Sequence, residues 1–236
     1  MSFSDIFIII FLIKKLYSVL INIIIQSKIV KKFPKKTLLK VKIHFMDLLY
    51  FIYAFNSSIR IILNSTWIYD CSKWIQKEEI IPNDIEKRYF TTISYYLVSL
   101  MDLFDESRSD QLEMFIHHIF TLHLLLYSIS LELYRYGIII LALHDISDPF
   151  LELSKIGYNL KFNTFTKIVF FIFTPLFIIT RIIIYPRYII YTCYCDLKEK
   201  GLNISFIGII LSLICLFIMH LFWTWKILLK LKSMRT

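Results

Sequence analysis

The sequence predicts an all-α integral membrane protein with about seven transmembrane helices. Three observations predict it. The chain is 57% hydrophobic and 19% charged, with a mean hydropathy of +0.63, too apolar to furnish a water-facing surface. Apolar runs recur along it, each near the roughly 20 residues that cross a bilayer. Its basic residues gather between those runs, as orientation signals do, and not on one folded face. A length of 236 residues leaves room for six or seven spans joined by short loops and for no second domain.

The runs fall at roughly 5–25, 45–64, 88–104, 112–131, 136–155, 164–185 and 204–228. The first lacks a basic start and a small-residue cleavage site, so it reads as a retained span and not a signal peptide, with Lys14 and Lys15 in its middle. The linker 28–42 holds Lys28, Lys31, Lys32, Lys35, Lys36, Lys40 and Lys42, which should keep it cytosolic. Alternating sides from that anchor puts 15 Lys and Arg on the cytosolic side. The lumenal side has 8: Lys73, Lys77, Lys87, Arg88, Arg135, Arg187, Lys198 and Lys200. This bias predicts a lumenal N-terminus and a cytosolic C-terminus. The net charge of +9 is thereby explained without nucleic acid. The expected organisation is an N-terminal span and basic linker over 1–31, one membrane domain over 32–230 and a short tail over 231–236.

Ionisable groups inside the runs are costly in lipid and mark function by default. His117 and His118 fall in the fourth run, and His144, Asp145 and Asp148 in the fifth. Asp145 and Asp148 are three apart, so the two carboxylates are expected to share one helical face. His117 and His118 are about 100° apart around theirs, so one is expected to react and the other to orient it. Pro149 removes the backbone hydrogen bond to the Asp145 carbonyl, which predicts a kink at the acidic turn. His123 and His220, taken singly, read equally well as helix-to-helix hydrogen-bonding residues. Asp47, Arg60 and Asp102 read as structural groups near span ends.

The same residues carry a long pattern. His117-His118-Ile119-Phe120-Thr121, then Arg135-Tyr136-Gly137, then His144 through Lys155 resemble the Lag motif of ceramide synthases, written HHxxT, RxG and HDxSDxxLExxK. The resemblance extends to Ser128, Trp67 to Asp70, Asp105 with Arg108 and Asp110, Thr180-Arg181 with Tyr185-Pro186, and His220 with Trp223, so it covers Lys32 to Lys230. Where that family commonly has Asn before RxG this chain has Glu132, and Pro149 stands where an aromatic is usual. The resemblance implies a TLC membrane domain in which six spans enclose a central lipid-accessible pocket and the first lies outside. It implies transfer of a fatty acyl group from acyl-CoA, a co-substrate with no bound cofactor, to the amine of a sphingoid base. It also implies residence in the endoplasmic reticulum membrane, with a homodimer or an accessory subunit left open.

For that chemistry His117 is assigned as base or nucleophile and His118 as its partner. Asp145 and Asp148 are assigned to orient imidazole and to bind the substrate amine or hydroxyls. General-base and acyl-imidazole routes both stand. The CoA phosphates belong at the cytosolic mouth, where the 28–42 lysines are candidates to steer them. A TLC protein that senses or carries lipid is the alternative. A metal-dependent hydroxylase is disfavoured, because six His fall short of the ligand boxes it needs, and no metal is expected. A lumenal disulfide from Cys71 to Cys193 or Cys195 is weighed evenly against free thiols, with Cys215 a thiol inside the last span.

Overall fold

The computed structural model describes residues 2–26, 33–76, 81–103, 110–200 and 204–235. The expectations placed on Lys28, Lys31, Lys32, Lys77, Asp105 and Arg108 fall outside them. The regular elements of the described residues are all helical. In order they are α1 (Phe3–Gln26), α2 (Lys35–Leu63), two short 3-10 turns (Trp67–Tyr69 and Cys71–Lys73), α3 (Asn83–Asp102), α4 (Gln111–Ser130), α5 (Tyr134–Asp145) and α6 (Asp148–Asn159). Then come α7 (Asn163–Phe177), a π-helical segment (Ile178–Ile190), α8 (Tyr191–Lys200) and α9 (Ile204–Arg235).

Local sequence explains where several of these begin and end. Pro34 and Pro82 precede α2 and α3, and Asp84 and Glu86 place negative charge at the positive end of the α3 dipole. Pro149 opens α6 in the first turn, where its missing N–H costs nothing. Helices α4 and α6 end alike. At α4 the N–H of Leu133 donates to the Ser128 carbonyl and that of Glu132 to Ile129; at α6 Phe162 donates to Gly157 and Lys161 to Tyr158. These are Schellman closures, and each sets a non-glycine residue in the left-handed region, Glu132 at φ 60° and Lys161 at φ 62°.

Among the described residues, three helical stretches are long and apolar enough to cross a membrane: Gln111–Ser130, Asn163–Asp196 and Ile207–Met234. They correspond to the fourth, sixth and seventh expected spans, the sixth running on through Pro175 and Pro186 well past its expected end. The fifth expected span is not one helix. It breaks at Ile146 and Ser147 into α5 and α6, each 12 residues, or about 18 Å, against a hydrocarbon core of about 30 Å. Proline explains the break, because Pro149 cannot continue the α5 hydrogen-bond ladder and is preset to start a new helix.

Helix α5 is the hub. Nine of its 12 residues are buried, and they enter two apolar clusters. One joins Tyr136 and Ile140 to Tyr185, Ile189, Leu213 and Leu216; the other joins Ile138 and Leu141 to Tyr89, Ile93 and Leu122. Around it α2 packs on α5 and α6, α6 on α7, α4 on α9, and α9 on the π-helical segment. Helix α1 packs mainly on α3, where Lys14 and Lys15 reach Asp102 at 3.8 and 3.4 Å. The four cysteines are free thiols, so the bridge between Cys71 and Cys193 or Cys195 is not made. Cys193 instead turns inward, buried in the Tyr136 cluster, with Cys71 packed at its edge.

Candidate active site

Helix α4 turns His117, His118 and Thr121 to the interior while Leu112, Ile116, Ile119 and Leu126 face outward, the stripe a 3.6-residue period gives. His117 and His118 line a cavity of about 320 Å³, together with Tyr96, Asp148, Arg181 and Trp223. The two imidazoles have centroids 5.7 Å apart, and Tyr96 of α3 lies edge-on to both. Trp223 of α9 closes on His117 from the other side, at 5.3 Å. Nδ1 of His117 is buried and has no hydrogen-bond partner among the described residues. An imidazole nitrogen held without a protein partner beside a cavity is positioned to meet a ligand.

The two carboxylates part company. Because the helix breaks between them, Asp145 ends α5 and Asp148 begins α6, so they do not share one helical face as expected. Asp145 is buried and accepts from Arg88 Nη2 at 2.6 Å and Ser58 Oγ at 2.8 Å. Arg88 is buried too; its Nε donates to Ser58 Oγ at 3.0 Å, and it also reaches Tyr50 and Thr92. Asp148 accepts from Arg181 and from Ser147 Oγ at 3.2 Å, at the cavity wall. Each carboxylate thus has a guanidinium and a hydroxyl among its partners. Pairing with a guanidinium offsets much of the cost of keeping a carboxylate in a dry interior.

Sequence reading missed Arg88. It was counted with the lumenal loop charges, yet its side chain is wholly buried; without it that side's count is 7 and not 8. The signal was there in principle, since two interior carboxylates demand two cations. Arg181 and Tyr185 are one turn apart in the π-helical segment, and both face inward. His144, one of the interior ionisable groups named above, and His220, which reads equally well as a helix-to-helix hydrogen-bonding residue, face each other with Nε2 atoms 3.1 Å apart. His123 does what a structural histidine does: its Nδ1 lies 2.7 Å from Ser212 Oγ and ties α4 to α9.

The mouth of the cavity carries Lys155, Lys226 and Lys230, with Lys14 from α1. Lys40, Lys155 and Lys230 also line a neighbouring cleft of about 290 Å³. Of the expected 28–42 lysines, Lys40 alone appears in either lining among the described residues. At this end His44, Asp47 and Glu152 set potential ligand atoms within 4.8 Å of one another. Glu152 is already engaged by His44 at 2.8 Å and Lys155 at 2.6 Å, and Asp47 by the Tyr95 hydroxyl at 2.5 Å. That is an ion-pair network complete in itself.

An all-helical membrane domain with a buried histidine pair beside a basic-mouthed cavity is the setting in which known relatives inform. The TLC domain family matches residues 40–229, and the chain belongs to that family. Among curated proteins it is 32% identical over 196 residues to ceramide synthase hyl-1 of Caenorhabditis elegans, covering 76% of this chain and 53% of that one. It is 32% identical over 149 residues to ceramide synthase 4 of Bos taurus, covering 61% and 37%. It is 28% identical over 190 residues to ceramide synthase 4 of Homo sapiens, covering 78% and 48%. The chain therefore spans about half, or less, of the length of these relatives.

Proposed function

We propose that this protein is a ceramide synthase, transferring a fatty acyl group from acyl-CoA to the amine of a sphingoid base. The observation that carries the reading is His117, whose buried Nδ1 has no hydrogen-bond partner among the described residues and which lines a cavity with a lysine-bearing mouth. Amide formation from a thioester needs a neutral amine, and an imidazole beside the substrate supplies either the base or the nucleophile. In this reading His117 reacts and His118 orients it. Asp148, braced by Arg181, is the carboxylate at hand for the substrate ammonium or hydroxyls. Asp145, neutralised by Arg88, shapes the site from behind.

Lys230 suits the CoA phosphates, which cannot enter lipid, and Lys155 and Lys226 can join it by exchanging their glutamate partners, Glu152 and Glu113, for phosphate. They lie on the side to which the charge bias assigns the cytosol, with the N-terminus lumenal and the enzyme in the endoplasmic reticulum membrane. About seven spans, six of them around the cavity, remain the proposed arrangement, and a second copy or accessory subunit is compatible with it. A lipid sensor or carrier has no evident use for the histidine pair. The deciding experiment supplies membranes containing the protein with sphinganine and a panel of acyl-CoAs and reads products by mass. Ceramide above the level of empty membranes is the expected result, and its absence with every acyl length would favour the carrier.

A further inference from the structure

His144 and His220 face each other from α5 and α9 in a geometry that fixes where their protons are. Nδ1 of His144 lies 2.7 Å from the carbonyl oxygen of Ile140, an atom that can only accept, so Nδ1 carries the proton. In the neutral ring Nε2 of His144 is then a lone pair. Nε2 of His220 stands 3.1 Å from it and must donate. The lone pair of neutral His220 is thereby assigned to Nδ1, an atom that is buried and has no partner among the described residues, on a side chain with no exposed surface. An orphaned acceptor at such depth is a standing cost to the fold.

Its surroundings place it one aromatic layer from the reaction cavity. Trp223, 6.3 Å from the His220 ring, also contacts His117 and lines the cavity; Phe177, 6.2 Å from the His220 ring, lines the cavity too. His144 and His117 both line a narrower cavity of about 30 Å³ on the other side. The charged and titratable groups facing the pair are His117 from α4, Arg181 and Tyr185 from the π-helical segment, and Asp148 from α6 through Arg181. Arg181 is committed, its Nη2 donating to the His144 carbonyl and to Asp148. Asp145 is committed to Arg88.

We propose that His144 and His220 form a two-imidazole proton acceptor serving the reaction, with Nδ1 of His220 as its open end. This rests on the acyltransferase reading. In that reaction a protonated amine and a thioester become an amide, a thiol and one proton. The amine nitrogen loses two hydrons, one leaving with the CoA sulfur; the second N–H bond breaks as an N–H bond forms on His117 at the cavity wall, and that His117 N–H breaks in turn as an N–H bond forms on Nδ1 of His220 behind it. The resulting imidazolium keeps its Nε2–H on His144, a charge-assisted bond stronger than the neutral one it replaces. The pair holds the proton until product leaves, while His117 is freed for the next amine.

The test uses the full chain in lipid nanodiscs. Nitrogen-15 spectra of histidine-labelled protein, assigned by difference from His220→Gln, should show His144 as the Nδ1–H tautomer and His220 as the Nε2–H tautomer. His220 found as Nδ1–H would overturn the pair. In ceramide assays kcat should rise with pH through the same ionisation that the spectra show for His220; a mismatch of more than about one pH unit would sink the proton role. His220→Gln keeps an N–H donor toward His144 but cannot be protonated. It should lower kcat at least tenfold, leave KM within about threefold and erase that limb of the profile. A purely structural residue would instead lower Tm and leave the profile of the surviving protein unchanged. Should the parent form no ceramide, the acyltransferase reading fails, and with it the proton role, while the spectra still decide the pair.

Discussion

Nη2 of Arg88 lies 2.6 Å from Oδ2 of Asp145, and the arginine side chain has no exposed surface. Breaking such a pair from one side leaves an unpaired charge in a dry interior, at a cost of about 3–5 kcal/mol, whereas replacing both partners by apolar groups is far milder. Asp145→Asn and Arg88→Met should each lower the thermal stability of the purified protein sharply, and Arg88→Met with Asp145→Leu should recover most of the loss. Additive destabilisation in the double variant would show that the two do not act as a pair. The consequence for function is direct. Loss of activity in Asp145→Asn reports lost fold, so this residue cannot by itself identify the chemistry.

Glu132 closes α4 at φ 60°, the left-handed conformation that glycine and asparagine adopt most readily. Glu132→Gly should raise stability by about 1 kcal/mol, since it relieves the steric cost of Cβ there. Lys161→Gly, at the matching position after α6, should do the same. A lower Tm in both variants would contradict the strain argument.

Gly137 is required for a different reason. A Cβ there would collide with the Tyr89 hydroxyl and sit 2.9 Å from Ser128 Oγ, two groups themselves joined at 2.7 Å. Gly137→Ala should destabilise by about 1–3 kcal/mol through overpacking. Adding Tyr89→Phe removes the nearest atom and should restore part of the loss. If Gly137→Ala is neutral, α5 does not approach α3 and α4 this closely.

How much of this was readable beforehand follows from what each signal measures. Hydrophobic runs report burial in lipid or protein without distinguishing them, so α4 was placed within about a residue, while α5 and α6 were fused into one span. The proline that breaks them was seen as a kink, because a local rule cannot say whether a ladder bends or stops. His117 and His118 were legible as ionisable groups in an apolar run. Arg88 was not, because beside Lys87 near the start of a helix it looks like an interfacial charge. Only the fold, which brings Ser58, Arg88 and Asp145 together from three helices, shows it to be interior.

His117 and His123 share α4, and they allow chemistry to be separated from packing. His117 has a buried nitrogen without a partner among the described residues, in the cavity wall, whereas His123 spends its nitrogen on Ser212 across the α4–α9 contact. Removing His117 gives up ring contacts with Tyr96 and Trp223 but also relieves a buried polar nitrogen that makes no hydrogen bond in the resting fold, so the two effects offset. His117→Ala is therefore expected to retain the parent Tm and to lose ceramide formation by at least 100-fold, the scale on which a base or nucleophile acts. His123→Ala forfeits an interhelical hydrogen bond of the kind worth about 0.6 kcal/mol in a membrane. It should lower Tm slightly and leave kcat/KM within tenfold, or about 1.4 kcal/mol of transition-state stabilisation. The comparison is read as two shifts on one purified preparation, Tm against kcat/KM. If His117→Ala falls in Tm and His123→Ala in turnover, the roles of the two histidines are exchanged, and the cavity described here is not where acyl transfer occurs.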